Sequence, residues 1–359
     1  MQIKDKQLDF TGQDIFIGLD VHQKQWTVII YVGEIEHKRY SQPPEVKILR
    51  NYLQKNLPGG NYYSVYEAGY SGFWIHRELQ KAGIRNIVVN PADVPTNNKE
   101  KRRKTDNVDS RKLVKALYQG QLKGIYVPDE ESDCDKRFTR QSEIVTKKIT
   151  RCKNQIKGLL AQFGIKIPEE EVTKHWSRGY IEEIKKISMI ENNFGKSLRI
   201  YIEELEFLRN LKLKIIREIR SLSTNSKYKD NCELLSSIPG ISTLSAMIIL
   251  TEITDIRRFS NKDEFCSYIG YTPDERSSGE VKRILGLTYR RNAHLRRIIT
   301  EASWIALRKD PALLLKFNEF VNKRKIIKAK AIIKIARKLV CRIRHVLLSR
   351  QKYELGVVA

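Results

Sequence analysis

Hydrophobic and polar positions change their period along this chain. Residues 14–20, Asp-Ile-Phe-Ile-Gly-Leu-Asp, form a short apolar run that suits a buried strand ending in an acid. A second β-rich segment spans 25–32 (Trp26, Val28, Ile29, Ile30, Tyr31, Val32), and 36–41 predicts a third strand closing a meander. Val46, Leu49 and Leu53 are spaced for a helix over 43–57, which Pro58-Gly59-Gly60 ends. Residues 62–67 are β-like and end in Glu67, 72–82 are helical up to Gly83, and 86–89 form a short strand closed by Asn90-Pro91. After a basic loop, a helix is predicted from about 106 to 119. This βββαβαβ order predicts a mixed α/β domain with a sheet core over residues 1–128.

From residue 129 the strand formers thin out, and charged residues alternate with Ile and Leu. Ile144, Ile149, Ile156, Leu159 and Leu160 suit one long amphipathic helix, ending near 164–168, and 181–187 a short one. Residues 198–222 carry Ile202, Leu205, Leu208, Ile215, Ile216 and Ile219 at helical spacing. Two readings fit this 129–226 segment: a coiled-coil arm facing a partner, or helices packed within one chain. Residues 233–250, with Pro239-Gly240 as the turn and Ser242 or Thr243 as a cap, have the look of a helix-hairpin-helix, and a plain pair of helices fits as well. Free N–H groups at such a helix start bind phosphate without reading sequence, which makes Gly240 a candidate contact. The tail over 323–352 places Ile332, Ala336, Leu339, Ile343 and Leu347 on one helical face with Lys and Arg elsewhere.

Charge narrows the partner. The 359 residues hold 67 Lys+Arg against 42 Asp+Glu, a net +25, which predicts a polyanionic partner with nucleic acid first. No apolar run approaches the ~20 residues of a spanning helix, and the start lacks a signal-peptide core, so the protein is expected in the cytoplasm with no membrane partner. The five scattered cysteines form no Cys-x-x-Cys pair and indicate neither zinc nor a disulfide framework.

The stretch from Lys99 to Arg111 concentrates candidate chemistry. Five of the six residues 99–104 are basic, and Asp106 and Asp109 follow, one helical turn apart on one face. Two carboxylates so placed suit a hard cation such as Mg²⁺, and the basic run suits phosphates. A capping Asp106 beside a solvated basic loop is the other reading. Asp20 and Glu67 each close an apolar run, so four acids from three elements converge if the first and fourth strands are neighbours.

Gly-Leu-Asp-Val-His (18–22), Tyr-Glu-Ala-Gly (66–69), Val-Asn-Pro-Ala (89–92) and Lys-Thr-Asp-Asn-Val-Asp-Ser-Arg (104–111) resemble the DEDD transposases of insertion sequences, which include Piv-type invertases and bridge-RNA-guided recombinases. The resemblance implies an α/β N-terminal domain of RuvC-like, ribonuclease-H-type fold, in which Asp20, Glu67, Asp106 and Asp109 bind Mg²⁺. It implies dimerisation through the helical arm and a mainly α C-terminal domain over 227–359. Tyr-Ile-Gly-Tyr-Thr-Pro (268–273) followed by Ser278-Gly279 resembles the family segment whose serine before glycine is the recombinase nucleophile, with Ser277 an adjacent hydroxyl. A serine needs a base or metal to activate it, and Arg276, Lys282 and Arg283 are expected to hold the phosphate. Lys101, Arg102, Arg103, Lys104, Arg111, Arg296 and Arg297 are the further expected nucleic-acid contacts. Arg291 stands where the family commonly has Gly, and Ile284-Leu285 replaces small residues, which puts that loop's conformation in question. The resemblance thus implies an enzyme, a DNA transposase or site-specific recombinase acting as a homodimer or homotetramer on donor and target DNA, with a guide RNA. A metal-dependent nuclease without serine chemistry, or a non-catalytic nucleic-acid-binding protein, remains the alternative.

Overall fold

The computed structural model describes residues 9–95, 106–166, 176–278 and 281–356, with backbone alone for 106–108, 275–278 and 281–285. The chain divides into two compact units, Met1–Val127 and Pro128–Ala359.

The first unit is built on a five-stranded sheet of β1 (Asp14–Val21), β2 (Trp26–Val32), β3 (Ile35–Gln42), β4 (Asn61–Glu67) and β5 (Arg85–Val89), in the order β3-β2-β1-β4-β5. The first three strands form an antiparallel meander, and β1, β4 and β5 run parallel. The expected neighbourhood of the first and fourth strands is therefore present. Alternation along each strand sends side chains to two cores. Ile15, Ile17 and Leu19 of β1 join Trp26, Val28, Ile30 and Tyr66 under α1 (Val46–Asn56) and α2 (Trp74–Lys81). On the other face Val65 and Val89 pack with Leu113, and Ile29 and Tyr31 with Val114, beneath α3 (Asp106–Tyr118).

One close approach sets where α3 lies. A Cβ on Gly18 would meet the Ser110 carbonyl oxygen at 2.3 Å and Val114 at 3.0 Å, so only glycine lets the helix cross β1 there. The Ser110 hydroxyl donates to the carbonyl of Thr27, 3.3 Å away, and Thr27 is the β2 partner of Asp20.

In the second unit, α4 (Glu130–Gln162) starts well before the segment whose periodicity marked it. Its N-cap Asp129 accepts from the Ser132 N–H at 2.8 Å, and Glu130, Glu131 and Asp133 favour the positive end of the helix. After α5 (Arg178–Ser188), α6 (Asn193–Leu222) lays Leu198, Ile202, Leu205, Leu208, Ile215 and Ile219 into the same core as Val145, Ile149, Cys152, Ile156 and Leu160 of α4. Packing inside the chain accounts for these apolar stripes, as the second of the two readings had it. The segment expected as a separate arm shares this core with residues beyond 227, among them Leu235, Met247, Leu295 and Leu339.

Helices α7 (Lys229–Ser236) and α8 (Thr243–Ile253) flank the Pro239-Gly240 turn. Gly240 has φ +89°, and a Cβ there would meet the Ala302 carbonyl oxygen at 2.3 Å, so this glycine is fixed by a helix packed on it. Ser242 caps α8 by accepting from the Ser245 N–H at 3.2 Å. Next come α9 (Lys262–Ile269), a hairpin of β6 (Pro273–Ser278) and β7 (Val281–Leu287), α10 (Ala293–Lys309), α11 (Pro311–Asn318), a π-turn (Glu319–Lys323) and α12 (Lys328–Ser349). The tail helix buries its apolar stripe, Ile332, Ala336, Leu339, Ile343 and Leu347, on this unit. No helix among the described residues is long and apolar enough to cross a membrane.

Gly18→Ala is expected to destabilise the first unit by about 1–3 kcal/mol, because the new methyl meets backbone rather than a side chain that can swing away. Denaturant unfolding followed by circular dichroism checks this, and an unchanged midpoint would contradict the crossing.

Candidate active site

The parity that fills the two cores also aims the acids. Asp20 lies two positions beyond Gly18 on β1 and Glu67 two beyond Val65 on β4, so both face α3. The register pairs Leu19 with Tyr66, which makes Asp20 and Glu67 the next residues on adjacent parallel strands. Helix α3 crosses this face with Ser110 against Gly18, and Asp109 immediately precedes that contact. Asp106 is the first residue of α3, one turn before Asp109. Asp20 and Glu67 thus share one end of one face of the sheet, and the backbone of α3 crosses that face beside them.

Asp20 is mostly buried, its side chain 21% exposed, and His22 Nε2 stands 3.3 Å from its Oδ2. Among the described residues no three His, Cys, Asp or Glu side chains are close enough to hold one metal ion. Asp20, Glu67 and Asp109 are described and do not make such a group by themselves, and the side chain of Asp106 lies outside the described residues. Their donor chemistry, carboxylate oxygens only, suits a hard divalent cation rather than zinc.

The serine segment is a β-hairpin. Ser278 is the last residue of β6 and pairs with Val281 across the tip, with Ser277 opposite Lys282 and Arg276 opposite Arg283. Ile284 and Leu285, which depart from the family pattern, lie in β7.

The base of this hairpin is held by groups that sequence reasoning missed. The Thr288 N–H donates to the Thr272 carbonyl at 3.0 Å, and the Asn292 N–H to the Tyr268 carbonyl at 3.0 Å. Asn292 caps α10 by accepting from the Leu295 N–H at 3.1 Å, and its Nδ2 donates to Glu252 Oε2 at 2.7 Å and to the Tyr268 hydroxyl at 3.2 Å. Glu252 is fully buried and is gripped by Arg140 at 2.5 and 2.9 Å, with Lys136 at 3.6 Å. Burial alone would raise the Glu252 carboxyl, but Arg140, Lys136 and Asn292 outweigh it and hold it below its ordinary value. A lone acid in the apolar helix Thr-Leu-Ser-Ala-Met-Ile-Ile-Leu-Thr-Glu-Ile was the available signal, since such a charge survives burial only when paired. Beside it, His294 Nδ1 lies 2.5 Å from Glu143 Oε2 and Arg297 3.2 Å from the same oxygen. Burial opposes ionisation of Glu143, yet hydrogen bonds from Lys147 and His294 bring it down to about 2.

Several expected phosphate contacts have partners inside the chain. Arg296 Nη1 donates to the Thr288 carbonyl at 3.2 Å, tying the end of the hairpin to α10. Arg297 pairs with Glu143 and Glu301, and Arg111 with Glu36 at 2.9 Å. Lys101, Arg102, Arg103 and Lys104 lie outside the described residues.

Comparison with known proteins decides the family. A profile described as a transposase of DEDD type from the IS110 group matches residues 17–165, and one described as "Transposase IS116/IS110/IS902 family" matches 232–318. The y4rJ protein of Sinorhizobium fredii (strain NBRC 101917 / NGR234) is 30% identical over 90% of this chain and 89% of its own length. The chain belongs to the IS116/IS110/IS902 transposase family. The transposase for insertion sequence element IS1533 of Leptospira borgpetersenii is 23% identical over 81% of this chain and 84% of its own length. That for IS1111A of Coxiella burnetii is 21% identical over 83% and 76%. This transposase is therefore a DNA-processing enzyme of an insertion sequence. All four acids fall in the first matched segment and Ser278 in the second.

Glu252→Gln keeps the shape but leaves Arg140 and Lys136 facing a neutral amide in the interior, with a cost of about 3–5 kcal/mol. The sign with pH follows from the depressed value: the Glu252 contribution is complete above the unfolded value near 4.5 and is lost as pH falls below it. Unfolding midpoints measured from pH 7 to pH 3 should therefore fall more steeply in the parent than in the variant.

Proposed function

We propose that this transposase cleaves and rejoins DNA with Ser278 as nucleophile and a Mg²⁺-binding set of Asp20, Glu67, Asp106 and Asp109. The observation that supports the acid set is the crossing of α3 at Gly18, on the sheet face whose strand ends bear Asp20 and Glu67. Bound to these carboxylates, the ion would neutralise charge on the scissile phosphate. The chain's own part is to keep the carboxylates on one rigid face, with His22 beside Asp20.

In the serine step, the Ser278 oxygen bonds to phosphorus as one bond from phosphorus to a deoxyribose oxygen breaks. The serine proton passes to solvent, and the departing sugar oxygen takes one up. The phosphoserine ester conserves the bond energy, so attack by a second DNA hydroxyl releases the serine and joins the strands. Arg276, Lys282 and Arg283 flank Ser278 in the hairpin register and are assigned to the phosphate. The net charge of +25 supports a second polyanion beside DNA, and the reading assigns target choice to base pairing by a structured guide RNA. A homodimer or homotetramer is the proposed working unit. Ile200 and Phe207 support it, seven residues apart and each 65% exposed on α6.

A second reading, cleavage by metal-activated water without serine chemistry, is favoured by one fact: all four acids belong to a single unit and a single matched segment.

Trapping separates the two. Full-length protein with its element's RNA and labelled DNA is denatured and run on a gel. A covalent protein–DNA band is expected from the parent and from Ser277→Ala, and none from Ser278→Ala. Asp20→Asn and Asp109→Asn should cut strand cleavage at least about 10²-fold, the scale of several kcal/mol of lost charge stabilisation. Full cleavage by Ser278→Ala would remove the serine step and leave the water mechanism standing.

A further inference from the structure

Between Pro311 and Lys338 the sequence has nine basic residues and one acid, Glu319. The structure gathers three of these cations at one point. Lys316 Nζ lies 5.5 Å from the Phe320 ring centroid, and Arg324 Cζ and Lys334 Nζ each 5.6 Å, so α11, the residue that ends the π-turn and α12 each deliver a charge to the same ring. Glu319 binds two of them, Lys316 at 2.6 Å and Arg324 at 2.7 Å, which leaves a local excess of two positive charges.

The backbone is shaped to make this corner. The Arg324 N–H donates to the Glu319 carbonyl at 3.1 Å, a π-type closure, and Lys325 follows at φ +53° in the left-handed region. Phe320 itself is buried, 6% exposed, and anchors the turn in a small core with Leu313, Ala331 and Ile335. Its ring is covered, so it offers no platform for stacking a base, which single-stranded nucleic acid would use. Among the described residues Glu319 is the one carboxylate ion-paired with these cations, so an external anion can neutralise the charge that remains. Lysine ammonium groups act as point charges, and contacts to phosphate carry no sequence information.

We propose that Lys316, Arg324 and Lys334, gathered around Phe320 at the π-turn, form a sequence-independent contact for the phosphate backbone of duplex DNA. This goes beyond the cleavage chemistry and depends on it only for the choice of duplex DNA as partner. The three cations straddle a rigid turn, so the site holds DNA in place rather than reacting with it.

Fluorescence anisotropy with a labelled DNA duplex of about 30 base pairs, using the full chain over a range of KCl, tests this. Each phosphate contact contributes about 0.9 to the slope of log affinity against log salt. The Lys316→Gln/Arg324→Gln/Lys334→Gln variant should lose affinity and about 2 to 3 units of slope, equally for unrelated duplex sequences. Lys334→Gln alone, at an exposed position, should lose about 0.9 and melt like the parent. Lys334→Arg should keep the parent slope. Run without Mg²⁺, the assay reads binding alone, which separates this site from the reaction chemistry. An unchanged slope in the triple variant would overturn the proposal, as would a loss seen with an RNA hairpin and not with the duplex.

Discussion

The first unit depends on one contact, the backbone of Ser110 seated on Gly18. With any larger residue at position 18 the helix would ride up from the sheet. The same crossing buries Val114 against Ile29 and Tyr31 and Leu113 against Val65 and Val89, so apolar packing holds the helix where the chemistry needs it.

The second unit solves a different problem, how to present a polar two-stranded ribbon that has little core of its own. Its base is tied to the buried carboxylate of Glu252, which Arg140 of α4 grips from one side and Asn292 of α10 from another. Tyr271, fully buried, adds hydrogen bonds to the Arg296 carbonyl at 3.0 Å and the Thr300 hydroxyl at 2.7 Å. The long helix, expected to serve a partner, thereby also fixes the segment that carries Ser278. Network and hairpin base are one mechanical element, which explains why a charge is kept in so apolar a helix.

What could be read in the sequence follows from the range of the forces involved. Strand alternation in β1, β2 and β4 and the acids at their ends were legible, because period and chain position are local. The five-stranded order followed only once β1 and β4 were known to be neighbours. The hairpin around Ser278 was not legible: Pro-Asp-Glu-Arg-Ser-Ser alternates no apolar residues, so it carries no strand signal. Arg296 and Arg297 looked like phosphate contacts, yet their partners, Thr288 and Glu143, lie 8 and 154 residues away in the chain. The Pro239-Gly240 turn was legible, whereas the Ala302 backbone packed on Gly240 was not. Side chains that serve distant contacts leave no local trace.

The central claim is that the acids on the α3 face form one metal-binding set for DNA cleavage. Asp109→Cys tests it most directly, because a thiolate is a poor ligand for Mg²⁺ and a good one for softer ions. Cleavage of the element's DNA by this variant should be lost in Mg²⁺ and return in Mn²⁺ or Cd²⁺. Activity equal to the parent's in Mg²⁺ alone would contradict the account.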